Sequence, residues 1–353
     1  LRTPEIYAEV AKMVEATSAM RRANNLSKLG LGITAPNPIV GALVLNPNGE
    51  VVGEGFHHRE NGGKHAEVVA LEMAGRQAEG GTLVLTLEPC NHHGNTPPCS
   101  EAIVKAGIRK VIFSVADPNP KAAGGAAHLI GAGIVVESGL LADEIEFTNR
   151  AWLKKINSGR PYITLKIATT LDGKVAASDG SSKWITNEMA RAQVHELRSE
   201  CDAIVTGTGT VIADDPAMTV REVKRVNFKF NPTRVVMGKR GIPAGSKILD
   251  ESSPTIHLES HNLSQLLELA DERGWNRILV EAGPKLTSAF LKSGLFDEIY
   301  LYQAPTLLGG NFDFVGDFEV RNLNERMDLE IISTEVIGES NKNVVIHLKA
   351  VAK

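Results

Sequence analysis

His65-Ala66-Glu67, then the run Thr82-Leu83-Val84-Leu85-Thr86-Leu87-Glu88-Pro89-Cys90, and finally Cys99 decide how this chain is read. Thr82 to Leu87 is apolar and strand-like, and Glu88-Pro89 ends it. His65 to Ala74 reads as a helix stopped by Gly75, with Ala66, Val69, Ala70 and Met73 as its inward face. Pro97-Pro98 closes the loop, and Cys99 to Ala106 resumes as a helix ended by Gly107. A helix start, a strand end and a second helix start therefore deliver one imidazole and two thiols. Such a donor set can hold a tetrahedral Zn²⁺ through three protein ligands and leave the fourth position to water. The cation brings the pKa of a water toward neutrality, and the helix terminus at Cys99 favours the thiolate that a metal needs. Glu67, two residues past His65, lies close enough to move protons without ligating.

Plainer readings stand beside this one. A single buried histidine is usually a core residue, and a single cysteine usually a small hydrophobe. A purely structural zinc site would want a fourth ligand, which His92 or His93 could supply. Otherwise those two histidines, carried on the loop between the thiols, line the mouth of a substrate site. Cys201, one helical step past Leu197 on an apolar face, reads as a buried structural thiol.

At 353 residues the chain is long for one core, so two domains are expected. A net charge of −4 gives no electrostatic case for binding nucleic acid. No apolar run approaches the roughly 18 residues of a membrane span. Arg2, Glu5, Glu9, Lys12 and Glu15 interrupt the first twenty residues, which do not form a signal-peptide core. An odd count of cysteines, three, argues against a disulfide framework and for a reducing cytoplasm. The chain begins at Leu1 without a methionine, so the expectation is that a few residues precede it.

Strand and helix patterns alternate through the first half. Val40 to Leu45 and Val51 to Glu54 form a hairpin about Asn46-Pro47-Asn48-Gly49, and Lys110 to Val115 is a further strand before Asp117-Pro118-Asn119-Pro120. This alternation predicts a parallel or mixed sheet with helices on its faces. The stretch 148–161, of mixed polarity with Gly159 and Pro161, reads as a linker between residues 1–147 and 162–353. In the second half, strands are expected at Tyr162–Ile167, Ala203–Thr206, Thr233–Met237, Thr255–Leu258, Arg277–Glu281, Glu298–Gln303 and Val344–Leu348. Helices are expected at 187–200, 263–273 and 285–293, the first capped by Thr186 with Ala190, Val194 and Leu197 on one face. Residues 222–232 read as a basic surface loop.

The first-half pattern is similar to that of zinc-dependent nucleobase deaminases, H-x-E followed by P-C-x-x-C, except that eight residues, Asn91 to Pro98, separate the cysteines here. The chemistry it implies is hydrolytic deamination: hydroxide attacks an amidine-like ring carbon, and Glu67 carries the water proton to the departing ammonia. The long loop Pro89-Cys90-Asn91-His92-His93-Gly94-Asn95-Thr96-Pro97-Pro98-Cys99 resembles one family closely, as do Ala35-Pro36-Asn37-Pro38-Ile39-Val40-Gly41 and Asp117-Pro118-Asn119-Pro120. That family is the bifunctional riboflavin-biosynthesis deaminase–reductase. Leu171-Asp172-Gly173-Lys174, Trp184-Ile185-Thr186, Ala213-Asp214-Asp215-Pro216 and Glu281-Ala282-Gly283-Pro284 look like its reductase motifs, and the likeness runs from about residue 20 to the C-terminus.

The resemblance implies an α/β fold in two parts. The first is a cytidine-deaminase-like αβα sandwich, and the second a dihydrofolate-reductase-like domain with a mixed central sheet. It implies Zn²⁺ held by His65, Cys90 and Cys99, Glu67 as proton shuttle, and Asn37 near the deaminase substrate. It further implies a phosphoribosylamino-pyrimidine substrate, deaminated first and then reduced with NADPH at its ribosyl chain.

The fingerprint G-x-G-x-x-G fails at Gly207-Thr208-Gly209-Thr210-Val211-Ile212, which lacks the third glycine. Two strand-to-helix turns, Gly207 to Thr210 and Gly283 onward, could serve as phosphate nests or merely cap their elements. Family motifs place Ala168, Trp184, Thr210, Asp214 and the turn Gly283-Pro284-Lys285 at the cofactor. They place Ser182, Arg198, Arg221 and Glu281 at the substrate, where guanidinium forks suit its phosphate. Arg198 read without the family is a solvated helix residue. Lys166, on a central strand, either faces the reducible carbon or is a strand-end surface lysine. The sheet edges of such a reductase make a homo-oligomer the expectation. A reductase-like half that only scaffolds, an RNA-gripping editing deaminase and a non-catalytic zinc protein are the competing readings. The acidic net charge and the lack of basic aromatic patches weigh against the RNA reading.

Overall fold

The computed structural model describes residues 4–58, 63–92, 97–221, 223, 231–316 and 320–351, with side chains from Glu15 onward. It divides into two compact units, Leu1–Gly159 and Arg160–Lys353. In the first, helix α1 (Pro4–Ser27) precedes the hairpin β1 (Gly41–Leu45) and β2 (Val51–Phe56). There follow α2 (Ala66–Ala74), β3 (Thr82–Leu87), α3 (Cys99–Lys105), β4 (Lys110–Val115), α4 (Gly125–Gly131), β5 (Val135–Ser138), α5 (Ala142–Thr148) and α6 (Arg150–Ser158). The sheet order is β2-β1-β3-β4-β5. β1 pairs antiparallel with β2 and β3, whereas β3, β4 and β5 run parallel. Every residue of β3 after Thr82 is buried, as a strand covered on both faces must be.

The backbone of α2 lies directly on β2. A Cβ at Gly53 would overlap the Ala70 carbonyl, and one at Gly55 the Ala66 carbonyl. This close approach corrects the expected helix face. Ala66, Glu67, Ala70, Leu71 and Ala74 are the buried positions, while Met73 stays 66% exposed. Small side chains fit against the strand glycines and the long thioether does not; its sulfur instead lies 3.4 Å from the Glu54 amide at the surface. The same phase turns Glu67 inward.

The segment read as a linker is also different. Residues 150–158 form α6, and its Trp152 is buried in the first unit's core, so this unit extends to Gly159. Asn157 and Ser158 are exposed, but Asn149 is buried against the Ile39 backbone and one large aromatic anchors the helix. Truncating such an anchor costs about 3–5 kcal/mol.

The second unit contains β6 (Tyr162–Thr170), α7 (Glu188–Ser199), β7 (Ala203–Gly207), α8 (Thr208–Asp214), β8 (Thr233–Met237) and β9 (Thr255–Leu258). It continues through α9 (Leu263–Glu272), β10 (Arg277–Val280), α10 (Pro284–Ser293), β11 (Glu298–Ala304), β12 (Leu329–Ile337) and β13 (Asn343–Ala350). Its sheet order is β12-β13-β11-β6-β10-β7-β8-β9, parallel from β11 to β9 and antiparallel where β13 meets β11 and β12. Every expected strand and helix is present, and Ala190, Val194 and Leu197 are buried on α7 as the periodicity requires. The cap of α7 is Asn187, whose side chain accepts from the Ala190 amide at 2.8 Å, and not Thr186. Cys201 is buried, donating to the Leu197 carbonyl at 3.1 Å, as a structural thiol should. Of the basic loop at 222–232, most residues lie outside the described set.

Candidate active sites

Three elements bring the first cluster together. His65 caps α2, Cys90 follows the end of β3, and Cys99 opens α3. His65 Nδ1 lies 3.1 Å from Cys99 Sγ and 3.5 Å from Cys90 Sγ, and the three donor atoms fall within 4.8 Å of one another. The loop behind them is braced by Glu88, whose carboxylate accepts from the amides of Asp117, Gly124 and Ala126 at 3.1–3.2 Å. A hydrogen bond from the Cys99 thiol, aided by His65 and opposed by burial, holds Cys90 down at about 4. That same pairing, followed by burial, pushes the Cys99 thiol up. Two adjacent sulfurs thus oppose each other's ionisation. A divalent cation removes this conflict, and one nitrogen with two sulfurs is the donor chemistry that zinc prefers. The residues present therefore fit a zinc ion.

Glu67 is buried, and desolvation lifts its carboxyl above the usual range against the pull of His65. Asn37 is exposed, and its side-chain amide lies 3.1 Å from His57 Nε2. His57 Nδ1 meets the Lys64 carbonyl at 3.0 Å, and burial lowers its pKa, so a neutral ring donates from Nδ1 and accepts from Asn37 at Nε2. His57 thus links Asn37 to the residue preceding His65. Sequence reasoning missed it, because no spacing ties 57 to 37. His92 is exposed, and His93 lies outside the described residues.

In the second unit the expected residues gather in local groups. The Gly283 amide donates to Thr210 Oγ1 at 3.2 Å, joining the turn before α10 to α8. Gly283 caps α10, Pro284 opens it, and Lys285 is exposed. Ser182 Oγ donates to Asp214 Oδ1 at 2.9 Å, and Lys183 Nζ to the Asp214 carbonyl at 2.7 Å. Trp184 is 71% exposed, with the Arg191 guanidinium 4.8 Å from its ring. Ala168 is half-buried on β6.

Lys166 belongs to the interior group rather than the surface. Burial lowers its pKa while Glu281 acts in the other direction. Arg198 is no solvated helix residue either: Nε and Nη2 grip Glu281 at 2.5 and 2.9 Å, and Nη1 donates to the Thr219 carbonyl at 2.9 Å. Burial would raise the Glu281 pKa, but Arg198 outweighs it and keeps the carboxylate ionised. Arg221, in contrast, is exposed. His195 sits between the two arginines, a residue that its i, i+3 spacing from Arg198 on α7 could have flagged.

Residues 13–115 match the family model for the cytidine and deoxycytidylate deaminase zinc-binding region, and residues 161–342 match the RibD C-terminal domain. The riboflavin biosynthesis protein RibD of Mycobacterium tuberculosis is 44% identical over 308 residues, spanning 87% of this chain and 90% of that protein. The chain belongs to the RibD family. RibD of Escherichia coli is 38% identical over 362 residues, spanning 93% and 98%. RibD of Acinetobacter baumannii superposes with a TM-score of 0.87 at 38% identity, covering 96% of this chain and 100% of that one. A Thermotoga maritima structure, described as a diaminohydroxyphosphoribosylaminopyrimidine deaminase/5-amino-6-(5-phosphoribosylamino)uracil reductase, gives 0.86 at 32% identity, with the same coverage. This RibD-family chain is a bifunctional enzyme of riboflavin biosynthesis, with a zinc-binding deaminase domain of cytidine-deaminase type and an NADPH-using reductase domain. The scaffold-only reading of the second half is not favoured. Among the described residues no helix is long and apolar enough to cross a membrane.

Proposed function

We propose that the chain deaminates diaminohydroxyphosphoribosylaminopyrimidine and then reduces the ribosyl group of 5-amino-6-(5-phosphoribosylamino)uracil to ribityl, the two reactions in the name of the Thermotoga relative. The observation that carries this is the convergence of His65, Cys90 and Cys99 beside inward-turned Glu67, in a chain whose second half is a RibD C-terminal domain.

His65 Nδ1 and the two sulfurs hold the zinc, which when bound supplies a Lewis acid that activates water near neutral pH. Glu67 takes the proton from the attacking water and returns it to the leaving ammonia; its raised pKa suits both halves of that task. Asn37, fixed by His57, orients the pyrimidine ring. In the reductase, NADPH supplies the hydride. Thr210, Asp214 and Gly283-Pro284-Lys285 hold the cofactor together with Ala168 and Trp184. Ser182, Lys166 and Glu281 face the substrate, with Glu281 kept ionised by Arg198. Arg221 takes the substrate phosphate through its exposed fork.

We further infer a homo-oligomer, supported by the exposed Ile331 and Val336 on outer strand β12, and a cytoplasmic setting that keeps the two ligand thiols reduced. The test of function is incubation with the diaminopyrimidine ribotide, with and without NADPH. Ammonia should appear in both cases, and NADPH absorbance should fall only after ammonia has been released. Ammonia release without any NADPH oxidation would overturn the two-step reading.

A further inference from the structure

The loop that carries Arg221 leaves α8 through left-handed Asp215 (φ 43°), passes a second left-handed residue at Met218 (φ 50°), and is pinned by its backbone. Arg234, fully buried, donates to the Ala217 carbonyl at 3.2 Å, and Asn231 Oδ1 accepts from the Val220 amide at 2.8 Å. Helix α7 supplies the remaining hold. Arg198 Nη1 reaches the Thr219 carbonyl at 2.9 Å, and His195 Nδ1 reaches the same carbonyl at 3.1 Å. His195 Nε2 lies 3.4 Å from Arg221 Nη2. With its proton on Nδ1 the ring donates to Thr219 and Nε2 accepts from the guanidinium, which has only donors; the Arg221 amide also reaches Nδ1, at 3.2 Å, and is served by the other tautomer, so the ring meets the loop backbone in either form. One neutral imidazole therefore fixes both the backbone and the side chain of the loop.

We infer that His195 is a positioning residue that aims the Arg221 guanidinium at the phosphate of the reductase substrate. Arg198 cannot take this task, because Glu281 and Thr219 already occupy all three of its nitrogens. A long exposed arginine left to itself samples many rotamers, and ordering it on binding costs affinity. A neutral ring acceptor orders it beforehand without neutralising its charge, as a carboxylate in the same place would. Burial, then the neighbouring Arg198 and Arg221, hold the His195 pKa at about 4, so the acceptor persists at neutral pH. The inference rests on the proposed phosphate role of Arg221.

The experiment is a cycle on the full-length enzyme: His195→Ala, His195→Gln, Arg221→Ala and the double variant His195→Ala/Arg221→Ala. KM and kcat for reduction are measured with 5-amino-6-(5-phosphoribosylamino)uracil and with its dephosphorylated nucleoside. His195→Ala should raise KM for the phosphorylated substrate about tenfold, the scale of a lost charge-assisted hydrogen bond. It should leave kcat and the nucleoside KM within about twofold, a difference at the edge of what such non-covalent contacts resolve. A glutamine amide can donate to Thr219 and accept from Arg221, so His195→Gln should restore most of the affinity. In the Arg221→Ala background, His195→Ala should add nothing. The inference is overturned if Arg221→Ala raises KM while His195→Ala does not, or if the two effects simply add. It is also overturned if His195→Ala harms both substrates equally. If Arg221→Ala itself leaves KM for the phosphorylated substrate unchanged, the phosphate role falls first and takes the inference with it.

Discussion

The Gly283 amide and the Thr210 hydroxyl are hydrogen-bonded at 3.2 Å, so the turn that opens α10 is held against α8. A valine at 210 keeps the volume but leaves a half-buried amide without its acceptor, and an unmade bond of that kind costs about 1–3 kcal/mol. Thr210→Val should therefore loosen this turn and raise KM for NADPH about five- to tenfold. Steady-state reduction of pre-deaminated substrate measures it, with ammonia release from the same preparation as the internal control. An unchanged KM for NADPH would separate this contact from cofactor binding.

Glu67 is turned inward by the packing of α2 on the β2 glycines, beside His65 and the sulfurs. Glu67→Gln preserves shape and removes the proton carrier. Ammonia release should fall by at least about a hundredfold, the usual worth of a positioned acid–base group. Zinc content by atomic absorption should not change, and reduction of pre-deaminated substrate should continue. Loss of zinc in this variant would mean that the carboxylate ligates instead of shuttling protons.

His65, Cys90 and Cys99 bring their donor atoms within 4.8 Å of one another. Dialysis against a strong chelator should remove zinc and abolish ammonia release, while reduction of pre-deaminated substrate persists. Added Zn²⁺ should restore the lost step with a stoichiometry near one per chain, because the described residues contain one such cluster. Cys99→Ser should bind zinc more weakly and should not be rescued at the same concentration. Chelation that also stopped reduction would contradict separate sites.

How much of this was legible beforehand follows from what each residue needs. The grouping of His65, Cys90 and Cys99 was readable because a tetrahedral ion demands specific donors on specific element ends, and the ends at the cysteines carry strong turn signals, Glu88-Pro89 and Pro97-Pro98. Met73 was misplaced because periodicity reports an apolar face, not the depth available to it. Gly53 and Gly55 set that depth from another strand. Trp152 shows the same limit: one aromatic among lysines anchors α6, yet the surrounding polarity suggested a linker. β12 escaped because a bulge between Ile331 and Ser333 breaks its alternation and most of its side chains are exposed. Arg198 belongs to Glu281, a partner 83 residues away that no local pattern could name.

Proton linkage at His195 gives a test that needs no substrate. In the unfolded chain its imidazole takes up a proton near 6.5, whereas in the folded chain burial and the two arginines delay this to about 4. Between those values the unfolded state binds more protons, so folding stability rises with pH. The contribution of His195 is complete above 6.5 and is lost progressively as pH falls toward 4. A glutamine at 195 has no proton to gain. His195→Gln should therefore flatten part of the fall in the unfolding midpoint across this window, and the curves for the two proteins should run parallel above it. Calorimetry or denaturant titration at a series of pH values measures the effect. Parallel curves throughout would mean that His195 titrates alike in both states. A steeper fall in the glutamine variant would reverse the sign and place the charged imidazole, not the neutral one, between Arg198 and Arg221.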